Sequence, residues 1–331
     1  MIFRWFESLI DVFGKSEPGM PPQGVARFYA HYLHQIWPLL LVMAVVGLLV
    51  ALVEVAMFDF LGRLIDMTTT APAADFFSVH GRELLFMVFV ALVLRPVLIA
   101  LGDLLMHQAV TPGLTARIRW QQHQHVVRQS LSFFQNDYAG RIANRIMQTG
   151  ASLRESAVQI IDALWYVTVY TGSALFLFAQ ADKRLMIPLI VWVFLYIGTL
   201  AYFVPRVKDR SWKASEARSQ LMGRIVDDCT NIATIKLFSH TREEEAKVAG
   251  AVRENVDKVR QMTRVTTAMD VTLTVLNALL VTVTAGLGLW LWQQGSITAG
   301  AIALSTGLVI RIENMSGWIM WVVNGIFEDV G

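Results

Sequence analysis

The sequence predicts an all-α membrane protein of six transmembrane helices with long cytoplasmic helical extensions, on three observations. Hydrophobic residues make up 55% of the 331-residue chain and charged residues only 16%, against about 25% charge in soluble globular chains. Six apolar segments are each long enough for a hydrocarbon core about 30 Å thick, which takes roughly 20 helical residues. Lysine and arginine are concentrated in alternate connections between those segments. Ten Trp, 18 Phe and a mean hydropathy of +0.49 suit a chain solvated partly by lipid. The period-2 alternation of a membrane β-barrel is absent.

The elements follow in order. No cleavable signal peptide is visible at the start. Residues 1–35 read as N-terminal interfacial or elbow helices. Ile2, Phe3, Phe6, Leu9, Ile10 and Phe13 share a broad helical face between Met1 and Gly14, with Arg4, Glu7 and Asp11 among the others, as in a helix lying in the membrane interface. Glu17-Pro18-Gly19-Met20-Pro21-Pro22 breaks it, and a second amphipathic stretch, Arg27 to Gln35, leads into the first apolar run. Residues 36–331 read as one six-helix domain with spans at 36–58, 84–105, 157–179, 185–204, 268–292 and 297–327. The fourth is uninterrupted by charge, whereas the second and sixth contain arginine.

Basic residues orient the spans. Stretches 1–35, 106–156 and 206–267 hold 22 of the 28 Lys and Arg, and the opposite connections hold four, Arg63, Arg82, Lys183 and Arg184. Both termini and the two long connections are therefore expected in the cytoplasm. Those connections keep apolar residues at helical spacing, with no proline between Leu114 and Arg184. About 25 extra helical residues would carry each some 35–40 Å beyond the bilayer, to a tip suited to docking. Nine acidic residues are interspersed with the basic ones between 206 and 267, which suits solvated, ion-paired helices and excludes a nucleic-acid surface.

Four motifs then become specific. Phe60-Leu61-Gly62-Arg63-Leu64-Ile65-Asp66 resembles the "LLGRIID" end of the first helix of ABC exporters. Phe133-Phe134-Gln135-Asn136-Asp137-Tyr138-Ala139-Gly140-Arg141-Ile142-Ala143-Asn144-Arg145 resembles that family's "FFDxxxTGxLxSR" segment. Asp227-Asp228-Cys229-Thr230-Asn231-Ile232-Ala233-Thr234-Ile235-Lys236-Leu237-Phe238 is similar to "ExLxGIxTVKAF", and Gly295-Ser296-Ile297-Thr298-Ala299-Gly300 to "GxITxG". Thr149 stands where the family has an acid, and Asp227 where it has Glu.

The resemblance implies the ABC exporter transmembrane-domain fold and an ATP-driven exporter half in a bacterial inner membrane. It would pair with a second copy as a homodimer and move an unidentified amphipathic substrate. Cytoplasmic coupling helices would rest on nucleotide-binding domains. Carried over, the first lies near Gln135, Asn136, Asp137, Tyr138 and Ala139, and the second over 216–226, with Glu216, Ser219, Gln220, Gly223 and Val226. ATP and Mg²⁺ are expected on a nucleotide-binding domain outside this chain, in cis or in trans. Gly14-Lys15-Ser16 imitates the end of a P-loop but has Leu9 where glycine is required. The last helix has no polar tail, which favours an ATPase domain on the same polypeptide. A stand-alone six-span channel or secondary transporter is the alternative, though no internal repeat between the halves is evident.

Charges within the spans mark candidate sites. Glu54, Arg95 (beside Pro96), Arg311, Glu313 and Asn314 read either as a polar substrate pathway, with the two arginines attracting an anionic or amphipathic cargo, or as interhelical ion pairs that fix packing. His31 and His34 share a helical face without a nearby carboxylate, and His123 and His125 do not share one, so no metal site is expected. Asn314-Met315-Ser316 has the form of a glycosylation sequon but falls in a span. Cys229, the single cysteine, excludes an intramolecular disulfide. No nucleophile–base pair is apparent.

Overall fold

The computed structural model describes residues 2–14, 24–70, 75–135, 139–237 and 241–330. The turn-rich break at Glu17–Pro22, the Lys15-Ser16 pair and Asn136, Asp137 and Tyr138 lie outside them. The described residues are all-helical, without strands. The helices are α1 (Ile2–Glu7), α2 (Val25–Leu33), α3 (Trp37–Thr70), α4 (Phe76–Phe89), α5 (Arg95–Asp103), α6 (Thr115–Val127), α7 (Leu131–Gln135), α8 (Ala139–Ala181), α9 (Met186–Thr230), α10 (Ile232–Leu237), α11 (Thr241–Gln293) and α12 (Ala299–Val330). Among the described residues, four helical runs, Arg27–Thr70, Phe76–Val127, Lys183–Thr230 and Arg242–Gln293, are long and apolar enough to cross a membrane. Each of the six apolar segments lies almost wholly within helix.

The first amphipathic stretch is shorter than its face suggested. α1 ends at Glu7, and residues 8–14 form turns held by the Ser8 hydroxyl on the Trp5 carbonyl and by the Asp11 carboxylate on the Phe13 amide. Short polar side chains that bond their own backbone compete with helix in this way. α3, by contrast, runs to Thr70, well past the end expected at Phe58.

α4, α5 and α6 are one continuous helical run with two wide, π-type turns, Val90–Leu94 and Leu104–Leu114. The first directly precedes Arg95-Pro96, and the second contains Pro112. A proline has no N–H to donate, and its ring collides with the carbonyl four residues back. Opening the turn by one residue relieves both without ending the helix. The bend expected at Pro96 thus takes the form of a wide turn, and Pro112 makes a second one.

The chain divides into two compact units, residues 1–186 with 285–329, and 187–284 with 330–331. In the first, α2, the 104–118 region and α8 bury Tyr32, Ile36, Val110, Leu114, Ile118, Leu153 and Val158 together with Ile10. Tyr29 and Ser156 share a hydroxyl hydrogen bond of 2.5 Å, and Arg117 and Gln121 both donate to the Gln35 side-chain carbonyl, at 2.9 and 2.8 Å. The N-terminal segment is fastened to this cluster, with Ile10 against Gly113 and Phe13 edge-on to Trp120.

The second unit is an antiparallel pair of long helices. Trp192 donates its indole N–H to Asn277 (3.1 Å), Arg210 donates to Gln261 (2.7 Å), and Arg224 to the Lys247 carbonyl (3.3 Å), so the register holds along the pair. At 1.5 Å per residue the 45 residues of α9 reach about 68 Å and the 53 of α11 about 80 Å, twice the apolar thickness of a bilayer or more. The polar ends carry pairs such as Lys213–Asp209 (2.8 Å) and Lys247–Glu244 (2.6 Å). The Lys213 ammonium lowers the Asp209 pKa, and Glu244 raises that of Lys247, as on a solvated helix face. Their apolar ends leave Phe194, Val275 and Leu279 more than half exposed, as suits side chains that face lipid.

Trp192 and Asn277 are both buried, so Asn277→Ala leaves an indole N–H without its carbonyl. The expected loss is about 1–3 kcal/mol, read as a lower melting temperature of the purified protein in detergent. Thr272→Ala, on the exposed side of the same helix, is expected to leave it nearly unchanged.

Candidate functional site

The first and last long helices of the first unit meet along one seam. On α3 the participating residues recur every four positions: Glu54, Phe58, Gly62 and Asp66. On α12 they are Gly300, Leu304, Gly307 and Arg311. Asp66 lies against Gly300, Gly62 against Gly300 and Leu304, Phe58 against Gly307, and Glu54 against Arg311. The antiparallel register therefore holds over the whole seam.

One end of this seam explains two sequence motifs residue by residue. Gly295, at a φ of +74°, closes α11: its amide bonds the Trp292 carbonyl, and the Ser296 amide bonds the Leu291 carbonyl. That paired closure requires a left-handed residue, which glycine supplies without strain. Thr298 then caps α12, its hydroxyl accepting from the Ala301 amide at 3.1 Å. Asp66 completes the cap from α3. One carboxylate oxygen accepts from the Gly300 amide (2.8 Å) and the other from the Thr298 hydroxyl (2.7 Å), at the positive end of the helix dipole.

Gly62 and Gly300 permit the approach. A Cβ on Gly62 would sit 2.8 Å from the Gly300 carbonyl oxygen, and one on Gly300 would overlap both the Gly62 carbonyl and the Asp66 carboxylate. A Cβ on Gly307 would come within 2.7 Å of the Phe58 ring. Small residues at such contacts are the usual means by which membrane helices pack closely. The sequence reading noted both motifs and missed that they touch. The available signal was a carboxylate at the end of one apolar run and a Thr-x-Gly at the start of another on the same side.

At the other end lie the charges. Glu54, about halfway along α3, accepts from Arg95 of α5 at 3.3 Å with one oxygen and from Arg311 of α12 at 2.7 Å with the other. Three helices are thereby joined through one carboxylate. The Glu54 side chain is 13% exposed, those of Arg95 and Arg311 44% and 40%. Glu313 and Asn314 do not join this cluster in the described contacts: two and three residues on, they project from other parts of the helix, and the Asn314 amide bonds the Ile310 carbonyl of its own helix. The interhelical pairs foreseen among these charges are present, with Glu54 as the shared acid.

Further along α3, Asp59 pairs with Arg63 (2.7 Å), which also reaches Glu83 (3.4 Å). An open hollow of about 360 Å³ beside Asp59 is lined by Leu52, Val55, Ala56, Ser173 and Phe176.

The candidate coupling segments fall as follows. Gln135 closes α7 and Ala139 opens α8, and the three residues between lie outside the described ones. The second segment needs correction. Glu216, Ser219, Gln220, Gly223 and Val226 form no separate short helix but lie within α9, which runs unbroken to Thr230. Beyond Pro205 the only breaker there is Gly223, and a single glycine costs only about 1 kcal/mol in a helix. The short helix of this connection is α10, Ile232–Leu237, entered at Asn231. Asp228, Ile232, Ile235, Glu244, Glu245, Val248 and Val252 line a cleft of about 620 Å³ there. Among the described residues no group of three or more His, Cys, Asp or Glu could hold a metal ion.

Long antiparallel helices, a glycine seam closed by an aspartate cap and short helices at the far tips define a helical transport domain. The chain belongs to the ABC transporter transmembrane family: the family model for the ABC transporter transmembrane region matches residues 39–313. It is 31% identical over its full length to an "Uncharacterized ABC transporter ATP-binding protein" of Haemophilus influenzae, covering 54% of that protein. It is 22% identical over 200 residues, 60% of its length and 34% of the relative's, to a candidate multidrug export ATP-binding/permease protein of Bacillus subtilis, YgaD. A bacterial Atm1-family ABC exporter with ATP bound superposes with a TM-score of 0.69 at 17% identity, over 90% of this chain and 52% of that one. The fold is that of an ABC exporter's membrane domain, and the chain spans about half the length of the relatives it most fully matches.

The seam can be tested by overpacking and by removing the cap. Gly300→Leu forces α3 and α12 apart and is expected to cost more than about 3 kcal/mol, because backbone lies on the far side. Asp66→Ala removes a cap alone, about 1–2 kcal/mol. The expected order of melting temperatures is wild type, Asp66→Ala, Gly300→Leu, and the reverse order for the two variants would show that the helices are not in contact here.

Proposed function

We propose that this chain forms the translocation pathway of an ATP-driven exporter, as one of two identical six-span halves in a bacterial inner membrane. The full-length match to the Haemophilus influenzae relative carries this reading. The lengths of α9 and α11 support the mechanical part of it. Helices twice as long as the bilayer is thick, with charged ends, are built to carry motion between the membrane and something in the cytoplasm.

The spans are those of the sequence reading, with residues 1–35 lying along the interface. Both termini and both long connections are cytoplasmic. ATP and Mg²⁺ bind a nucleotide-binding portion, on the same polypeptide or a partner one, since this chain has no P-loop. That portion rests against the two tips: the α7–α8 junction around Gln135–Ala139, and α10 with the last turn of α9 before it. Closure of the nucleotide-binding portions on ATP pushes both tips. The helices pass the push on as levers, and the wide turns at Val90–Leu94 and Leu104–Leu114 let one lever bend without breaking.

Two measurements test this. The chain together with its nucleotide-binding portion, reconstituted in inverted vesicles, is expected to hydrolyse ATP in a vanadate-sensitive manner and to drive ATP-dependent accumulation of an amphipathic dye. ATP-independent flux through the chain by itself would favour a channel or secondary transporter instead. Topology can be read from Cys229, which is exposed and is the single thiol. A membrane-impermeant maleimide is expected to label it in inverted vesicles and not in intact spheroplasts, and labelling from the outside would overturn the orientation.

A further inference from the structure

Resting on the reading of this chain as an exporter's membrane domain, we infer that residues 2–13 form a strap between the bilayer and the wide turn at Leu104–Leu114. One side of the strap grips the turn, and the other is a lipid-binding surface that enters the cytoplasmic leaflet. Bending at the turn then answers to the surrounding lipid.

The strap follows the turn in order. Phe6 joins Val46 and Leu105 in a buried cluster where the turn opens. Ile10 joins the buried cluster of Val110 and Leu114, and lies against Gly113, where the turn closes. Beyond it the Asp11 carbonyl accepts from Arg117 at 3.3 Å, and Phe13 meets the Trp120 ring edge-on, with 5.3 Å between centroids. Contacts in the same order along both segments bracket the whole wide stretch. That stretch is where the helical run most needs a brace, because Pro112 removes one of its backbone hydrogen bonds. Gly113 leaves the backbone bare toward the strap, and an added Cβ would lie 2.8 Å from the Ile10 Cβ.

The open side is apolar. Ile2 and Phe3 flank Phe6 on α1 and are 67% and 58% exposed, and Trp5 beside them is 62% exposed. Arg4 lies on the side of the helix away from Phe6 and is exposed as well. Leu39 and Met43 of α3 pack against Phe6, so this face sits level with the opening of the first apolar run. At the same level the α3 side chains Trp37, Leu41 and Val45 are open too. Lipid that solvates α3 at this depth reaches the strap without any further partner. Short amphipathic segments with tryptophan lie in the membrane interface in this way, apolar side down and charges up.

Grip and anchor share one short helix, so neither moves alone. A change in the turn shifts Leu105 relative to Gly113, which Phe6 and Ile10 span, and draws Ile2 and Phe3 through the leaflet.

Two measurements on the complete transporter in phosphatidylcholine nanodiscs test this. The first places a bimane label on Phe3→Cys, with Cys229→Ser and any cysteine of the nucleotide-binding portion replaced likewise. Nitroxide-labelled phosphatidylcholine is expected to quench the label, and aqueous iodide to leave it bright. Quenching by iodide alone would put that side in water, quenching by neither would put it under protein, and each overturns the proposal.

The second reads hydrogen exchange of the amides at 104–114. Ile2→Ser with Phe3→Ser alters side chains that belong to neither buried cluster, and is expected to raise that exchange about threefold or more. Gly113→Ala separates the brace from helix propensity. Alanine is the better helix former, so exchange would slow if the strap bore nothing. Displacement of Ile10 is expected to speed it instead, again about threefold or more. Unchanged exchange in the Ile2 and Phe3 pair, or slower exchange in Gly113→Ala, overturns the coupling. ATPase activity in the same nanodiscs is read separately. Its absence would strike the exporter reading while leaving the strap's contacts with lipid and turn measurable.

Discussion

The contact between the backbones of Gly62 and Gly300 sets the geometry of the first unit. In a bilayer, burying apolar side chains against one another gains little over leaving them in lipid, so close backbone approach and interhelical hydrogen bonds carry the packing. Here both occur at one point: two glycines touch, and Asp66 spans the same gap to cap the helix that Gly300 opens. From that point the register along α3 and α12 is fixed. It brings Phe58 onto Gly307 and, farther on, Glu54 onto Arg311. The charged cluster is therefore positioned by a joint roughly 12–16 Å away along the helix axes, taking about 1.5 Å per residue.

The second unit uses a different device. α9 and α11 are held by polar contacts spaced far apart, one of them a buried indole–amide hydrogen bond and the others near the solvated ends. These polar contacts fix the register of a pair whose buried side chains also include Leu189, Val207, Ala214, Met269 and Leu273. A pair built so can act as a stiff lever while its tip remains available. At that tip the cleft beside α10 combines an apolar floor with a rim of both signs, Asp228, Glu244, Glu245 and Arg253.

Much of this was legible in the residues because the membrane imposes length and composition directly. The apolar segments recur as helices, and the long polar connections as continuations of the same helices. Two kinds of feature were not legible. Helix ends depend on single residues: Ser8 and Asp11 stop α1 early, and nothing between Pro205 and Thr230 is strong enough to stop α9 at Glu216. Wide turns depend on how a proline is accommodated, and Pro96 and Pro112 announce a disturbance without saying which one. The charged cluster was half legible. Arg95, Arg311 and Glu54 were recognisable as expensive groups, but their convergence required the seam, and Glu313 and Asn314 look equivalent to Arg311 until the helix is placed.

The wide turn before Arg95 has a consequence for tracing this protein's ancestry. Such a turn holds one residue more than an ordinary α turn, and each added residue swings everything after it by about 100°. Arg95 points at Glu54 because of that surplus residue. A relative lacking it would keep the same string of amino acids on both sides yet present a different side chain to its first helix. Homologous positions across this stretch are then matched only by introducing a gap, and an ungapped comparison would pair Arg95 with the wrong residue of its cousin.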